Sequence, residues 1–428
     1  MAVSTYILVP LLLGWLLVVV AASLAELAPG GVRLPTPTTY DPYFDDFDVF
    51  YSAGTMVRDG AGGQVYRLSA IHEFEARGAH VTPASVQVLP FFNPAYTLAP
   101  LAALSLMPLQ IAAVAWTGLG LVAFVTAAVA LAAGRPHRLN GMSALVWLAA
   151  TASSVPFFQT ILHGQASFFL AAAWVLIWLG AFAGRRPWLT ALGLFLLAFK
   201  PPLLLLPIGF LIWRQQWRAI WRFAAVLGVC AAGTMAVVGP AAFLAYPGFM
   251  LHAASWDDTN GISTWGMFGW NAFSRALLGP HELASRSALT LSLDVATLVA
   301  IARALPRLRA ADRKEEMLAC LVFGSLLISP HVYAHDVLFA VVPLMLLATG
   351  GTWRTRMFWI AYAAAGWVVL YFHFDLLSVG RLNPTALWLA GAIVAATLPA
   401  GQLARSVATY LRPLDRVRLF RPPEAENS

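Results

Sequence analysis

An all-α protein that crosses a membrane about ten times is what this sequence predicts, and three observations predict it. The 428 residues are 60% hydrophobic and only 11% charged, and the mean hydropathy of +0.72 exceeds what a water-soluble core absorbs. Apolar stretches of roughly 17 to 25 residues recur, the length that a helix rising about 1.5 Å per residue needs to cross a hydrocarbon layer about 30 Å thick. No period-two alternation marks a strand, so helices are left to satisfy the backbone in lipid.

The first span is read at residues 6–24. It lacks the basic start and cleavage pattern of a secretory signal, and is taken as a retained helix. A long polar segment with juxtamembrane helices follows, at 25–90. Further spans are expected near 109–133, 141–157, 168–184, 219–240, 286–303, 317–329, 337–350, 357–374 and 385–403. Between 188 and 213 the apolar run is interrupted by Lys200-Pro201-Pro202. Each half is too short to span alone, so the stretch reads as two half-helices that enter and return. The tail 405–428 is basic and polar, suited to lie on anionic lipid. Residues 1–428 thus form one membrane-embedded domain.

Orientation follows from the 27 basic residues, since short cytoplasmic loops collect Lys and Arg. With the N-terminus cytoplasmic, most of them fall on that side, including Arg135, Arg138, Arg185, Arg186, Arg214, Arg218, Arg222, Arg303, Arg307, Arg309, Arg313, Lys314, Arg354, Arg356 and the tail arginines. The C-terminus is then cytoplasmic too. The net charge of +7 expresses this topology and carries no nucleic-acid footprint. Trp213, Trp217 and Trp221, each followed by an arginine, form an interface ladder at i, i+4, i+8. Cys230 and Cys320 both fall in apolar spans, which indicates neither a disulfide framework nor a metal site.

The other side receives nearly all the unusual polar chemistry. It holds Asp41, Asp45, Asp46 and Asp48 within an aromatic run ending at Tyr51, then Asp59, Glu73 and Glu75. His163-Gly164-Gln165 follows the third span, and Asp257, Asp258 and Asn260 lie in a later loop. Ser329-Pro330-His331-Val332-Tyr333-Ala334-His335-Asp336 follows the seventh. Ionisable groups at membrane depth are costly and mark function. If residues 45–48 are helical, Asp45 and Asp48 share a face and Asp46 points elsewhere. The same acids also suit the capping of a juxtamembrane helix. His331 and His335 share a face if their turn is helical. Lys200 is an ammonium between half-helices, a geometry that lines cavities rather than facing lipid. His72, Glu75 and His80 lack zinc spacing, and no phosphate-binding glycine loop is present.

The order of these motifs resembles glycosyltransferase family 87, polyprenyl-phosphate-sugar-dependent enzymes of the GT-C superfamily. The resemblance rests on Asp46-Phe47-Asp48-Val49-Phe50-Tyr51 with Gly60 to Tyr66, Gly164-Gln165 before an apolar helix, Phe199-Lys200-Pro201-Pro202 with Trp213-Arg214, and Ser329-Pro330 with His335. It spans about residues 5 to 400. Where the family usually has Tyr-Pro-Pro, this chain has Phe92-Asn93-Pro94-Ala95.

The resemblance implies an inverting transferase of GT-C fold that moves a hexose from a polyprenyl phosphate to a lipid or glycan hydroxyl on the outer face. Mannose is the sugar it indicates, with arabinofuranose and glucose left open. It implies Asp46 as the general base, with Asp48 in reserve. His335, His331 and Lys200 are expected to hold the donor phosphate. Gln165, Asp257, Asp258 and Asn260 are expected at the sugar or acceptor. No cofactor and no metal are expected. The partners are the donor, the acceptor and membrane lipid, with no nucleic acid, and the place is a bacterial inner membrane. A secondary transporter and a non-catalytic glycan-assembly subunit are the competing readings. A transporter often shows paired broken helices in two related halves, and this sequence has one break.

Overall fold

The computed structural model describes residues 45–78, 88–133, 141–184, 186–253, 256, 266–279, 281–380 and 382–398. The first span at 6–24, Asp41, the acids Asp257 and Asp258 with Asn260, and the tail 405–428 lie outside the described residues. Every regular element described is a helix, and no strand occurs among the described residues.

The first loop contributes α1 (Asp45–Arg58) and α2 (Leu68–Gly78), separated by a 3-10 turn at Gly62–Gln64. Phe47, Phe50, Ala53 and Met56 recur every third residue and bury one face of α1 with Ile71 of α2, the stripe an amphipathic helix needs. A 3-10 turn at Ala95–Thr97 leads into α3 (Leu98–Leu104). α1 crosses α3 at Gly54, where a β-carbon would lie 2.2 Å from the Leu101 carbonyl oxygen. Only glycine permits so close an approach.

Then follow α4 (Leu109–Ala133), α5 (Gly141–Ala152) and α6 (Val155–Leu162). The expected span 141–157 is therefore two helices. Ser154 caps α6 by accepting a bond from the Phe157 N–H at 3.4 Å, with Pro156 in the first turn, which ends one helix and starts the next. α7 (Ser167–Ile177) continues into a π-helical turn at Trp178–Ala183.

The broken stretch is α8 (Pro187–Leu197), a 3-10 turn at Pro201–Leu204 and α9 (Leu205–Trp213), followed by α10 (Trp217–Val238). Both ends of the break lie on one side. The Arg222 guanidinium, on the first turns of α10, sits 4.8 Å from the centre of the Trp188 ring at the start of α8, and Gln216 donates to the Ala181 carbonyl at 3.4 Å. The turn itself lies deep. The Tyr96 hydroxyl donates to the Ala198 carbonyl, while the Tyr96 carbonyl accepts from Thr234 Oγ1 at 3.1 Å, far along α10. The outer ends of α8 and α9 therefore come together, and the chain doubles back between them. Lys200 leaves the helical region (φ −122°, ψ 86°) because a following proline disfavours it. The carbonyls the prolines would orphan are satisfied, Ala198 by Tyr96 and Phe199 by Asn93 Nδ2 at 3.0 Å, as apolar surroundings demand.

The remaining helices are α11 (Ala241–Ala253), α12 (Trp270–Leu278), α13 (Leu283–Ala310), α14 (Lys314–Ile328), a 3-10 helix at Ala334–Ala340, α15 (Val341–Thr349), α16 (Trp353–Tyr371), α17 (His373–Gly380) and α18 (Pro384–Thr397). α14 is the central post, buried continuously from Met317 to Leu327 and packed by α13, α15 and α18. Among the described residues, three helices, α4, α10 and α13, are long and apolar enough to cross a membrane. They turn Val114, Val122, Val229, Val237 and Leu291 outward, an apolar exterior that fits lipid rather than water. The other described apolar helices are shorter, Ser167–Ala183, Ala334–Thr349 and Pro384–Thr397 among them.

Candidate functional site

α1 delivers two aspartates to opposite surroundings. Asp46 is half-buried and accepts a 2.7 Å bond from Gln165 Nε2. Asp48 is 4% exposed and turns towards α2, where its Oδ1 would touch a β-carbon at Gly78 at 3.4 Å. Glu75 is its electrostatic neighbour, with both carboxyl oxygens 3.2 Å from the Leu89 N–H. Burial pushes the Glu75 carboxyl up to about 9; the Leu89 N–H opposes the rise and the Asp48 charge adds to it. The helical register therefore separates Asp46 from Asp48, as the sequence spacing indicates.

The loop between α6 and α7 is fastened to α1. The Phe47 N–H donates to the His163 carbonyl at 3.0 Å, and the His163 ring meets Gln159 Oε1 at 2.5 Å. Gly164 adopts φ +61°, a left-handed turn that favours glycine, and its carbonyl accepts from Trp116 Nε1 at 3.0 Å. That indole also meets the Phe47, Phe50 and Phe199 rings at 6.3, 6.0 and 5.9 Å. An aromatic floor thus runs from α1 to the lysine turn.

On the far side of the floor, Lys200 Nζ contacts Asp336 Oδ1 at 2.5 Å and His335 Nε2 at 3.5 Å. Asp336 also caps its own helix by accepting from the Tyr333 N–H at 3.1 Å. His335 is 5% exposed, stacks 5.9 Å from the Tyr333 ring and feels the His163 ring electrostatically. α6, which leads to His163, packs on the 3-10 helix that carries His335. Asp46 and Gln165 are thus linked by way of His163, the electrostatic neighbour of His335, to the group of His335, Asp336 and Lys200.

The condition for a shared histidine face is not met. His331 and His335 do not share a helical face, because the helix begins only at Ala334. His331 stacks on Phe92 at 5.3 Å instead, and burial, reinforced by the Lys200 charge, pushes its imidazole down to about 4. It is neutral at neutral pH, a hydrogen-bonding group and not a cation. Lys200 has Asp336 as its ion-pair partner. Sequence reading missed that role. The partners stand 136 positions apart, and the one signal was an acid directly after His335. The departure at Phe92-Asn93 is also used, Phe92 against His331 and Asn93 against the broken backbone.

Chemically, the cluster offers a carboxylate oriented by an amide. It also offers an ammonium, an imidazole and an orienting carboxylate. No group of three potential metal ligands occurs among the described residues.

The sequence profile of glycosyltransferase family 87 matches residues 91–330. The matched stretch contains Phe92, Gln165 and Lys200 and ends one residue before His331; Asp46 precedes it. Neither a curated protein nor a solved structure matches the chain. The match covers more than half of the sequence, and it meets an apolar, helical exterior around a cluster of carboxylate, amide, imidazole and ammonium. This membrane protein belongs to glycosyltransferase family 87.

Proposed function

We propose that the protein is an inverting glycosyltransferase that moves a hexose, mannose first among candidates, from a polyprenyl phosphate to a lipid or glycan hydroxyl at the outer face of a bacterial inner membrane. The observation that carries this reading is the 2.7 Å bond holding Asp46 to Gln165, across the aromatic floor from Lys200, His335 and Asp336. Inversion needs a base at the acceptor hydroxyl and stabilisation of a departing phosphate on opposite sides of one anomeric carbon.

The acceptor O–H proton passes to the Asp46 carboxylate while the acceptor oxygen forms the new bond to the anomeric carbon. The bond from that carbon to the phosphate oxygen breaks, and its electron pair leaves on the polyprenyl phosphate. Lys200 and His335 receive the developing charge. An ammonium has three donors, so Lys200 can hold Asp336 and a phosphate together, with Asp336 fixing its position. Gln165 keeps Asp46 aimed, and His331 borders the phosphate as a neutral donor. Asp48, beside Glu75 on the buried side of α1, is the reserve base of this proposal. Asp257, Asp258 and Asn260 belong to the acceptor side of this proposal, and the single domain over 1–428, the outer loop 25–90 and the cytoplasmic tail 405–428 to its topology.

The test uses purified protein in lipid nanodiscs with labelled polyprenyl-phosphate mannose, glucose or arabinofuranose and a set of glycolipid acceptors. Asp46→Asn is expected to lower kcat/KM by about 10²- to 10⁴-fold, the usual contribution of a positioned base. Undiminished transfer by that variant refutes the assignment. Transfer from none of the donors refutes the function.

A further inference from the structure

A second surface, not used in the mechanism above, lies where the first loop meets α11. We propose that the cleft lined by Tyr66, Arg67, Phe249, His252 and Trp256 is a saccharide subsite for the acceptor, holding a hexopyranosyl ring adjacent to the one that reacts. This rests on the reading of the chain as a transferase to a glycan or glycolipid.

The cleft encloses about 240 Å³, modest beside the pockets that hold drug-sized ligands and in keeping with a single sugar ring. Its walls match the two faces of a pyranose. Such a ring presents a patch of C–H groups to an aromatic face, whose quadrupole is negative, and a rim of hydroxyls to polar groups. Tyr66 and Phe249 lie 5.1 Å apart, and Trp256 is fixed by near-perpendicular contacts with Phe249 and His252, each at 5.7 Å. The rim is supplied by Arg67 and His252, both exposed. Arg67 is lightly tethered by a 3.5 Å bond to Gln64, and a guanidinium carries five N–H donors and no acceptor. A lipid acyl chain has no use for that rim.

A single ring, Phe92, links the cleft to the centre. Phe92 meets Trp256 at 6.2 Å and Phe249 at 5.8 Å, and its ring stacks on His331 at 5.3 Å. The Tyr66 hydroxyl holds the Asn93 carbonyl at 2.8 Å and the Tyr246 hydroxyl holds that of Phe92 at 3.3 Å, so this wall is braced from the cleft side. A chain of two sugars can follow it, one ring in the cleft and the next towards His331.

The experiment is saturation-transfer NMR on the full chain in nanodiscs free of sugar detergent, with methyl α-D-mannopyranoside and methyl α-D-glucopyranoside as probes. Expected is saturation strongest at the ring C–H protons. Loss of the stack in Trp256→Ala is expected to weaken binding roughly tenfold, with Trp256→Phe retaining part of it and Arg67→Gln weakening it less. Thermal unfolding midpoints verify that each variant is folded. Asp46→Asn keeps hexoside binding while losing transfer, which separates the subsite from the chemistry. Absence of binding by the wild type, or binding by folded Trp256→Ala equal to wild type, overturns the subsite even where transfer is observed. Trp256-dependent binding without any transfer leaves the subsite standing and removes the transferase reading.

Discussion

Glu75→Gln is expected to make the protein more stable at neutral pH, because burial holds the wild-type carboxyl protonated. The wild-type carboxyl is 1% exposed, with its ordinary value of 4.5 pushed to about 9 by burial. Between those values the folded protein must carry a proton that the unfolded chain does not. A raised carboxyl contributes its stability fully below pH 4.5 and loses it as pH climbs through about 9, at about 1.36 kcal/mol per unit. At pH 7 the cost is on the order of 3 kcal/mol. Glutamine keeps the shape and an oxygen for the Leu89 N–H but does not titrate. The assay is the unfolding midpoint of wild type and Glu75→Gln in one lipid environment from pH 5 to 9. The two curves should lie close at the acid end and separate steadily, with the variant above. Parallel curves, or a wild type more stable at pH 7, would refute the argument that burial rather than a bound counter-charge governs this group.

Three other outcomes follow from the geometry. Lys200→Met strands the buried Asp336 and should destabilise the protein by about 3 kcal/mol, the lower end of the range for broken buried pairs, because the lysine is 23% exposed. Lys200→Met combined with Asp336→Leu should recover most of the unfolding midpoint without recovering transfer; recovery of transfer would mean the lysine holds structure alone. Gly54→Ala puts a β-carbon 2.2 Å from the Leu101 carbonyl oxygen. Moving α1 off α3 should cost about 1–3 kcal/mol, as overpacking does, and lower transfer through the displaced Asp46, read by unfolding and transfer assays together. Gln165→Leu removes a donor to a charged acceptor and should cut kcat about 10- to 100-fold with the donor KM unchanged; an effect on KM alone would make Gln165 a binding residue.

Composition and apolar length were enough to read the helical, membrane character, because burial in lipid leaves few solutions for the backbone. The spans at 109–133 and 219–240 meet α4 and α10 almost residue for residue. Prolines misled in both directions. Pro247 with Gly248 conceals α11, which carries the proline inside a helix, whereas Pro156 begins α6 where one continuous span was expected. The lysine turn was legible because a charge beside two prolines in an apolar run has few explanations. Asp336 was not, since an acid among histidines looks alike whether it faces water or an ammonium far away in sequence. The aromatic cleft was equally hidden. Its walls come from two loops and a helix, and only packing brings Tyr66, Phe249 and Trp256 together.

The segment from Phe92 to Thr97 has an implication for the order of events. One face of it braces the lysine turn through Asn93 and Tyr96, and the other backs the cleft through Phe92, whose ring meets Phe249 and Trp256. Whatever settles against one face changes the freedom of the other, and linkage makes that influence reciprocal. Saturation with one substrate should therefore shift the apparent affinity for its partner, by the same factor whichever is added first.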